Sequence, residues 1–370
     1  MSEGEKSFER IIKLRNEIDL IDEKILKLLN RRAEIAISIS NEKNKNNFSV
    51  FDPVRESEKL KSIAQDDGPF PKSGKLAVFR EILSATKLIE KRISVSFLGP
   101  EKSFCWLAAR KAFGSSIELI PENDVYDIFT NVIKKVSEFG VVPIENSQDG
   151  SIGETLDCLS DLDVLIISEV IIPVSFSLLS REEKLSDIKV VYSHKKALYQ
   201  CTSWIKENLP QAKIEETFST SDAARKSALE KGAAAVCLED ISEDLGLNVL
   251  AKNIQGRKDN HTRFAVISAK ETVNVKKAKT KRGTKIKTSV CFSLKDVPGA
   301  LYKALQPFAK KKINLSKIES RPDRKLKFQY MFFVDIDGSA NDRNIKSCLG
   351  ELAKLTSFFK FLGSYPKDEI

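Results

Sequence analysis

The sequence predicts a multidomain protein: an all-α segment, then a layered α/β segment, then a small α+β segment. Three observations carry this. The chain has 370 residues, more than one ordinary core accommodates. From Phe8 to Lys43 it contains no Pro or Gly, and apolar residues recur at three-and-four spacing. From Ile93 onward short apolar runs alternate with helical stretches, until a basic tract at 273–287 sets off a last stretch ordered β-α-β-β-α-β.

Composition narrows the function classes. Apolar content is 41%, as in globular proteins, and no apolar run reaches the roughly 18 residues of a membrane span. The start MSEGEKSFER has no apolar signal region, so a cytoplasmic protein is expected. The six cysteines (Cys105, Cys158, Cys201, Cys237, Cys291, Cys348) show no C-x-x-C pairing; reduced thiols are expected, with no metal and no cofactor. Net charge is +9, yet seven basic residues fall between Val275 and Thr288 (Lys276, Lys277, Lys279, Lys281, Arg282, Lys285, Lys287) with no acidic one. They read as a solvated linker. A nucleic-acid tail is disfavoured because no aromatic residue is interleaved for stacking.

The first helix carries Leu14, Ile18, Ile21, Ile25, Leu28, Ile35 and Ile39 on one stripe. Its span, about 54 Å at 1.5 Å per residue, exceeds a small domain and calls for a second chain. Arg32 interrupts that stripe and Lys43 extends it, and a cation on a buried face needs an anion. A second helix opens at Asp52-Pro53, an N-cap followed by proline at N1, and carries Arg55 and Glu56. After the turn Asp67-Gly68-Pro69, a third helix is expected from Leu76 to Lys91 with the seam Leu76, Phe79, Leu83, Thr86, Glu90.

In the α/β segment, GVVPIENSQDGSIGETLD (140–157) reads as a ligand-gripping loop. Val141 and Val142 are strand-like, Pro143 is expected to end the ladder, and helix resumes at Glu154, whose free amides suit an anion. Two more polar clusters follow. YSHKKALYQC spaces Ser193 and Gln200 by about two helical turns, and DNHTRF places Thr262 and Arg263 before an apolar run. In the last segment, Gly299-Ala300-Leu301-Tyr302 sits at a strand-to-helix turn and Glu319-Ser320-Arg321-Pro322 at a strand end.

These motifs resemble known families. LRNEID, NRRAEIA, FDPVRE and VFREILSAT, over residues 1–92, resemble the all-helical chorismate mutase domain. The resemblance implies intertwined chains in which Arg15 is lent to the partner's site. Arg32 and Lys43 would grip the substrate carboxylates and ether oxygen, Asp52, Arg55 and Glu56 would give polar contacts, and Thr86 and Glu90 would stand on the third helix. Only a protonated Glu90 can donate there, so the expectation, provided burial keeps Glu90 protonated, is mutase activity that falls as pH rises from about 5 to 8. PIENS, YSHKKALYQC and DNHTRF, over residues 93–272, resemble the prephenate dehydratases. That family implies a two-lobed α/β domain, periplasmic-binding-protein-like, with its site between the lobes. Thr262 would hydrogen-bond or protonate the leaving hydroxyl with Ser193 assisting, and Arg263, Asn146 and Gln200 would hold the carboxylates and keto group. Ser147 and Phe264 are carried over with them, while His194 and His261 are read as supporting groups.

Four departures from the family stand out: Lys102 and Cys105 in a usual Gly-Thr-Phe-Ser stretch, Ser175-Phe176, and Lys195-Lys196. The last segment, 288–370, resembles the ferredoxin-like ACT domain, its two motifs implying a phenylalanine sensor at a contact between two copies. Together these resemblances imply a bifunctional chorismate mutase/prephenate dehydratase, a homodimer or higher oligomer inhibited by L-phenylalanine. The alternative is a mutase whose dehydratase domain is a degenerate binding module.

Overall fold

The computed structural model describes residues 3–45, 51–257, 259–271, 284–323 and 329–368. Three helices come first: α1 (Glu3–Lys45), α2 (Pro53–Ala64) and α3 (Lys72–Glu90). Asp52 caps α2 as expected, its carboxylate accepting from the Arg55 amide at 3.0 Å. The third helix starts four residues before the expected Leu76, directly after Pro71.

The next elements are β1 (Ser94–Leu98), α4 (Phe104–Phe113), β2 (Glu118–Glu122), α5 (Val125–Ile133), β3 (Phe139–Asn146), β4 (Gly150–Ser151), α6 (Gly153–Asp161) and β5 (Val164–Pro173). Then come β6 (Ser177–Ser180), β7 (Val190–Ser193), α7 (Lys195–Asn208), β8 (Lys213–Glu216), α8 (Thr220–Ser227), β9 (Ala233–Cys237), α9 (Ser242–Leu245), β10 (Asn248–Ala251) and β11 (His261–Ala269). They build two sheets, β2-β1-β3-β11-β5 with β4 on β3, and β10-β6-β9-β7-β8. The chain leaves the first lobe after β5 and returns before β11, and the two crossings are tied where the Val174 amide donates to the Asn260 carbonyl at 2.8 Å.

Two stretches fold otherwise than their sequence predicts. The apolar run 164–180 is two strands in different sheets, broken by Pro173. Nor does Pro143 end its ladder: β3 runs on to Asn146, and Pro143 stands opposite Phe264 at a bulge between Arg263 and Phe264. A bulge tolerates a residue that has no amide hydrogen.

The last segment is β12 (Ile286–Ser293), α10 (Ala300–Lys310), β13 (Leu315–Pro322), β14 (Tyr330–Asp337), α11 (Arg343–Leu355) and β15 (Phe358–Pro366). The antiparallel order β13-β14-β12-β15 is the expected ferredoxin-like sheet. Lys287, assigned to the solvated linker, is instead buried within β12; residues 276–282 of that tract lie outside the described residues.

The first lobe is the hub. Phe51, just before α2, packs between Phe113 and Phe139 with ring centroids 4.9 and 5.3 Å away. On the α5–α6 layer, Cys291, Phe333, Leu362 and Tyr365 share one core with Leu156, Leu159, Ile166 and Ile267. Gly363 has φ 148°, and a Cβ there would strike the Ile166 carbonyl, so only glycine lets β15 approach β5.

Candidate active sites and their regulatory neighbour

Helical spacing places the cations of α1 against the polar end of α3. Arg32 Nη1 donates to Thr86 Oγ1, whose hydroxyl donates to the Ile82 carbonyl at 2.6 Å. Lys43 Nζ meets Glu90 Oε2 at 3.2 Å, and Ser40 Oγ donates to the Glu90 carbonyl at 3.0 Å. An open concavity of about 450 Å³ runs along α1 here, lined by Arg31, Glu34, Ile35, Ser38, Ile39, Glu42 and Lys43.

Glu56 pairs with Lys87 at 2.8 Å, a lysine the sequence analysis did not single out. Lys87 is buried, with Phe51 and Phe113 below its ammonium at 4.9 and 5.5 Å. Burial pushes the Glu56 carboxyl up, with Lys87 opposing. Arg55 and Arg15 are exposed. Arg15 lies about 26 Å along the same helix from Arg32, so it does not join this cluster within one chain. Beside it runs an exposed apolar stripe including Phe8, Ile11, Leu14, Ile18, Ile21, Ile25 and Leu28.

The second site forms where the lobes meet. In the β3–β11 ladder Asn146 stands opposite Thr262, and Arg263 opposite Glu145. Side chains alternate across a strand, so one pair faces the crevice and the other the back of the sheet. On the crevice side the Asn146 amide donates to Thr262 Oγ1 and to Asn260 Oδ1, each at 2.9 Å, and its oxygen accepts from the amides of Gln148 and Asp149. Ser147 Oγ reaches Asn260 Oδ1 at 3.5 Å, and Asn260 Nδ2 donates to Gln200 Oε1 at 3.1 Å. Asn260 was missed by the sequence analysis; its one legible signal was its place directly before the strand that carries Thr262. The structure therefore unites Asn146, Ser147, Gln200 and Thr262.

Three expected site residues lie elsewhere. Ser193 is fully buried at the end of β7, its hydroxyl donating to the Val236 carbonyl. The seven-residue spacing misled because Ser193 is on a strand and only Gln200 is on α7. Phe264 is buried in the core under α4. Arg263 turns to the back of the sheet, where it meets Glu145 Oε2 at 2.9 Å, Glu169 at 3.3 Å and Asp335 of the C-terminal sandwich at 2.7 Å.

Arg263 belongs to a buried ionic cluster joining the two domains. Lys287 Nζ meets Glu169 at 2.6 Å, Lys317 meets Glu145 at 3.3 Å and Ser151 Oγ at 2.7 Å, and Ser289 Oγ donates to Asp335 at 2.6 Å. Burial alone would lower the Arg263 pKa, but Asp335, Tyr365, Glu169 and Glu145 together raise it. For Asp335, burial pushes upward, yet Arg263 and Lys287 outweigh it and hold the carboxyl below its usual value.

Helix α6 is gripped at both ends. Arg321 takes Asp157 with both arms at 3.2 Å, and its guanidinium fills the space left by the missing side chain of Gly153. Lys360 Nζ donates to the carbonyls of Leu159, Ser160 and Leu162 at the other end. The N-terminus expected to hold an anion thus faces a side chain of the sandwich. Of the remaining residues in the two sensor motifs, Gly299 caps α10 with φ 77°, Ala300, Leu301 and Tyr302 follow it, and Glu319, Ser320 and Pro322 lie on the edge strand β13.

The departures are accommodated. Lys102 adopts φ 63°, the left-handed region that glycine favours, and its ammonium pairs with Asp244 at 2.8 Å and lies 4.8 Å from the Trp106 ring. Cys105 is buried, its thiol directed at the Val141 carbonyl at 3.2 Å and pushed by burial up to about 12. Phe176 packs edge-on against Phe104, with Ser175 bonded to Asn253 at 2.7 Å. Lys195 opens α7, and Lys196 is 3.8 Å from Asp149 of the first lobe.

The chain matches the family descriptions chorismate mutase type II over 14–91, prephenate dehydratase over 95–272 and ACT domain over 288–354. It is 42% identical to the bifunctional chorismate mutase/prephenate dehydratase of Aquifex aeolicus, covering 97% of this chain and 98% of that one. The namesake from Stutzerimonas stutzeri is 36% identical over 96% and 97%. Among solved structures, an Arthrobacter aurescens prephenate dehydratase in complex with L-Phe is similar, with TM-score 0.67, 35% identity and coverage of 74% of this chain and 90% of that one. The Staphylococcus aureus prephenate dehydratase gives TM-score 0.60, 30% identity and coverage of 74% and 100%. With three family matches in this order and a relative 42% identical along nearly its whole length, the protein belongs to the bifunctional chorismate mutase/prephenate dehydratases, converting chorismate to prephenate and prephenate to phenylpyruvate.

Proposed function

We propose that residues 1–92 hold chorismate in a site completed by a second copy of the chain, that the lobes at 93–272 dehydrate prephenate, and that 288–370 senses L-phenylalanine. For the mutase step no nucleophile is needed, only a compact substrate conformer and donors for charge growing on the ether oxygen. Arg32 and Lys43, poised against Thr86 and Glu90, supply those donors when the ligand displaces these partners. Asp52 and Glu56 shape α2 and its junction with α3, and Arg55 lies beside them. The exposed stripe of α1 is the surface the second copy covers, which brings the partner's Arg15 to Arg32. Such a dimer works in the cytoplasm on soluble substrates; among the described residues no helix is long and apolar enough to cross a membrane.

For the dehydratase step, aromatisation drives loss of carbon dioxide and water, so the site has to assist the leaving hydroxyl and orient the carboxylate. The observation that carries this reading is the hydrogen-bonded set Asn146, Thr262, Asn260 and Gln200 at the lobe junction. Thr262 attends the leaving hydroxyl, and Gln200 holds the keto group or a carboxylate. Feedback is supported by two things: the Arthrobacter relative is in complex with L-Phe, and here the sandwich grips α6, the helix directly after the Asn146–Ser151 loop. Purified protein given prephenate should release phenylpyruvate, measured at alkaline pH, and L-phenylalanine should suppress it. Absence of turnover by folded protein that still consumes chorismate would overturn the dehydratase assignment.

A further inference from the structure

The hydrogen bonds at the lobe junction have a direction, and the backbone sets it. The amides of Gln148 and Asp149 can only donate, and both point at one atom of the Asn146 side chain, at 2.9 and 3.1 Å. That atom is therefore its oxygen, and the other end is its NH2 group. Its two hydrogens go to Thr262 Oγ1 and to Asn260. Asn260, only 1% exposed, must receive one of them on its own oxygen, which leaves its NH2 to face Gln200. Gln200 takes that hydrogen on Oε1. This last link crosses from the first lobe to α7 of the second.

We infer that Asn260 is a positioning residue that sets the donor polarity of the dehydratase site by holding Gln200 with its NH2 toward the crevice. The same logic governs Thr262. An oxygen that accepts from Asn146 does not aim its hydrogen there, so the hydroxyl hydrogen turns to what stands in the crevice. Both groups then present donors to a substrate with two carboxylates, a keto oxygen and a departing hydroxyl. The inference rests on the proposed reading that Thr262 and Gln200 face prephenate.

Asn260→Asp keeps shape but removes the donor. Gln200 then relaxes by turning its NH2 to residue 260 and its oxygen to the crevice. In the full chain, prephenate KM and kcat are measured with chorismate mutase activity as the fold control. Gln200→Ala and Asn260→Asp should each raise KM about tenfold, and Asn260→Asp should add less than about threefold in the Gln200→Ala chain. Asn260→Ala, which leaves Gln200 free to turn, should do less harm than Asn260→Asp, the reverse of what a merely structural residue gives. Gln200→Glu, on a partly exposed helix position, accepts from Asn260 while showing an acceptor to the crevice, and should be worse than Gln200→Ala. Multiplying effects in the double variant, or Ala worse than Asp at 260, would overturn the inference. Unchanged KM and kcat in Gln200→Ala would instead overturn the assignment of Gln200 on which it rests.

Discussion

The cluster between the dehydratase lobe and the sandwich can be tested through Asp335→Asn. In it three cations (Arg263, Lys287, Lys317) meet three carboxylates (Glu145, Glu169, Asp335), and the substitution leaves one positive charge in excess. Asp335 lies 2.7 Å from Arg263 and 3.9 Å from Lys287. A charge pair about 4 Å apart is worth about 4 kcal/mol at an effective dielectric of about 20. Relief of the buried carboxylate's desolvation offsets part of that, and breaking a buried pair usually costs about 3–5 kcal/mol. Arg263 keeps Glu145 and Glu169, so the lower end applies, about 3 kcal/mol.

The assay is native-state hydrogen exchange of the β14 and β15 amides, which should quicken by about 150-fold. Inhibition by L-phenylalanine should weaken while uninhibited prephenate turnover remains. The pH dependence has a definite sign. Because Asp335 is held below its ordinary 3.8, its stabilisation is present above that value and is lost as pH falls through the lowered one; the variant lacks this loss. Exchange within about threefold of the parent protein, with inhibition by L-phenylalanine unchanged, would mean that Asp335 does not hold the sandwich to the lobe.

Two further outcomes concern the helical segment. If Arg15 serves the partner's site, Arg15→Ala and Arg32→Ala chains are each inactive as mutases, whereas an equal mixture after subunit exchange recovers about one quarter of parental activity. Half the dimers are then mixed, and each mixed dimer has one intact site; no recovery would sink the exchange of arginines. Burial raises the Glu56 pKa above 4.5, so folding takes up a proton there. That contribution is greatest below about 4.5 and is lost as pH rises through the raised value, a slope in thermal midpoint that Glu56→Gln should flatten when followed by circular dichroism.

The helical side-chain cluster was legible because one period governs it. Spacing by threes and fours put Arg32 and Lys43 on the stripe of α1 and Thr86 and Glu90 on the seam of α3, and these pairs do meet. The crevice was legible only in part. TRF reads as three adjacent residues, yet in a strand neighbours point to opposite faces, so Thr262 faces the lobe junction beside Asn146 while Arg263 enters the ionic cluster. Lys287 looked like linker because charge in sequence says nothing of the carboxylate that meets it.

The order of domains, the helix seams, the ferredoxin-like order of the last segment and the motifs that point to two reactions could be read from the residues alone, since these follow from local periodicity and residue type. The face each strand residue takes, the link Asn260 makes between the two lobes, and the cluster that Lys287, Lys317 and Asp335 of the sandwich close with Glu145, Glu169 and Arg263 emerge only on folding. Register explains the difference: hydrogen-bonded pairing between strands far apart in the chain chooses the partners, and no local pattern encodes that choice.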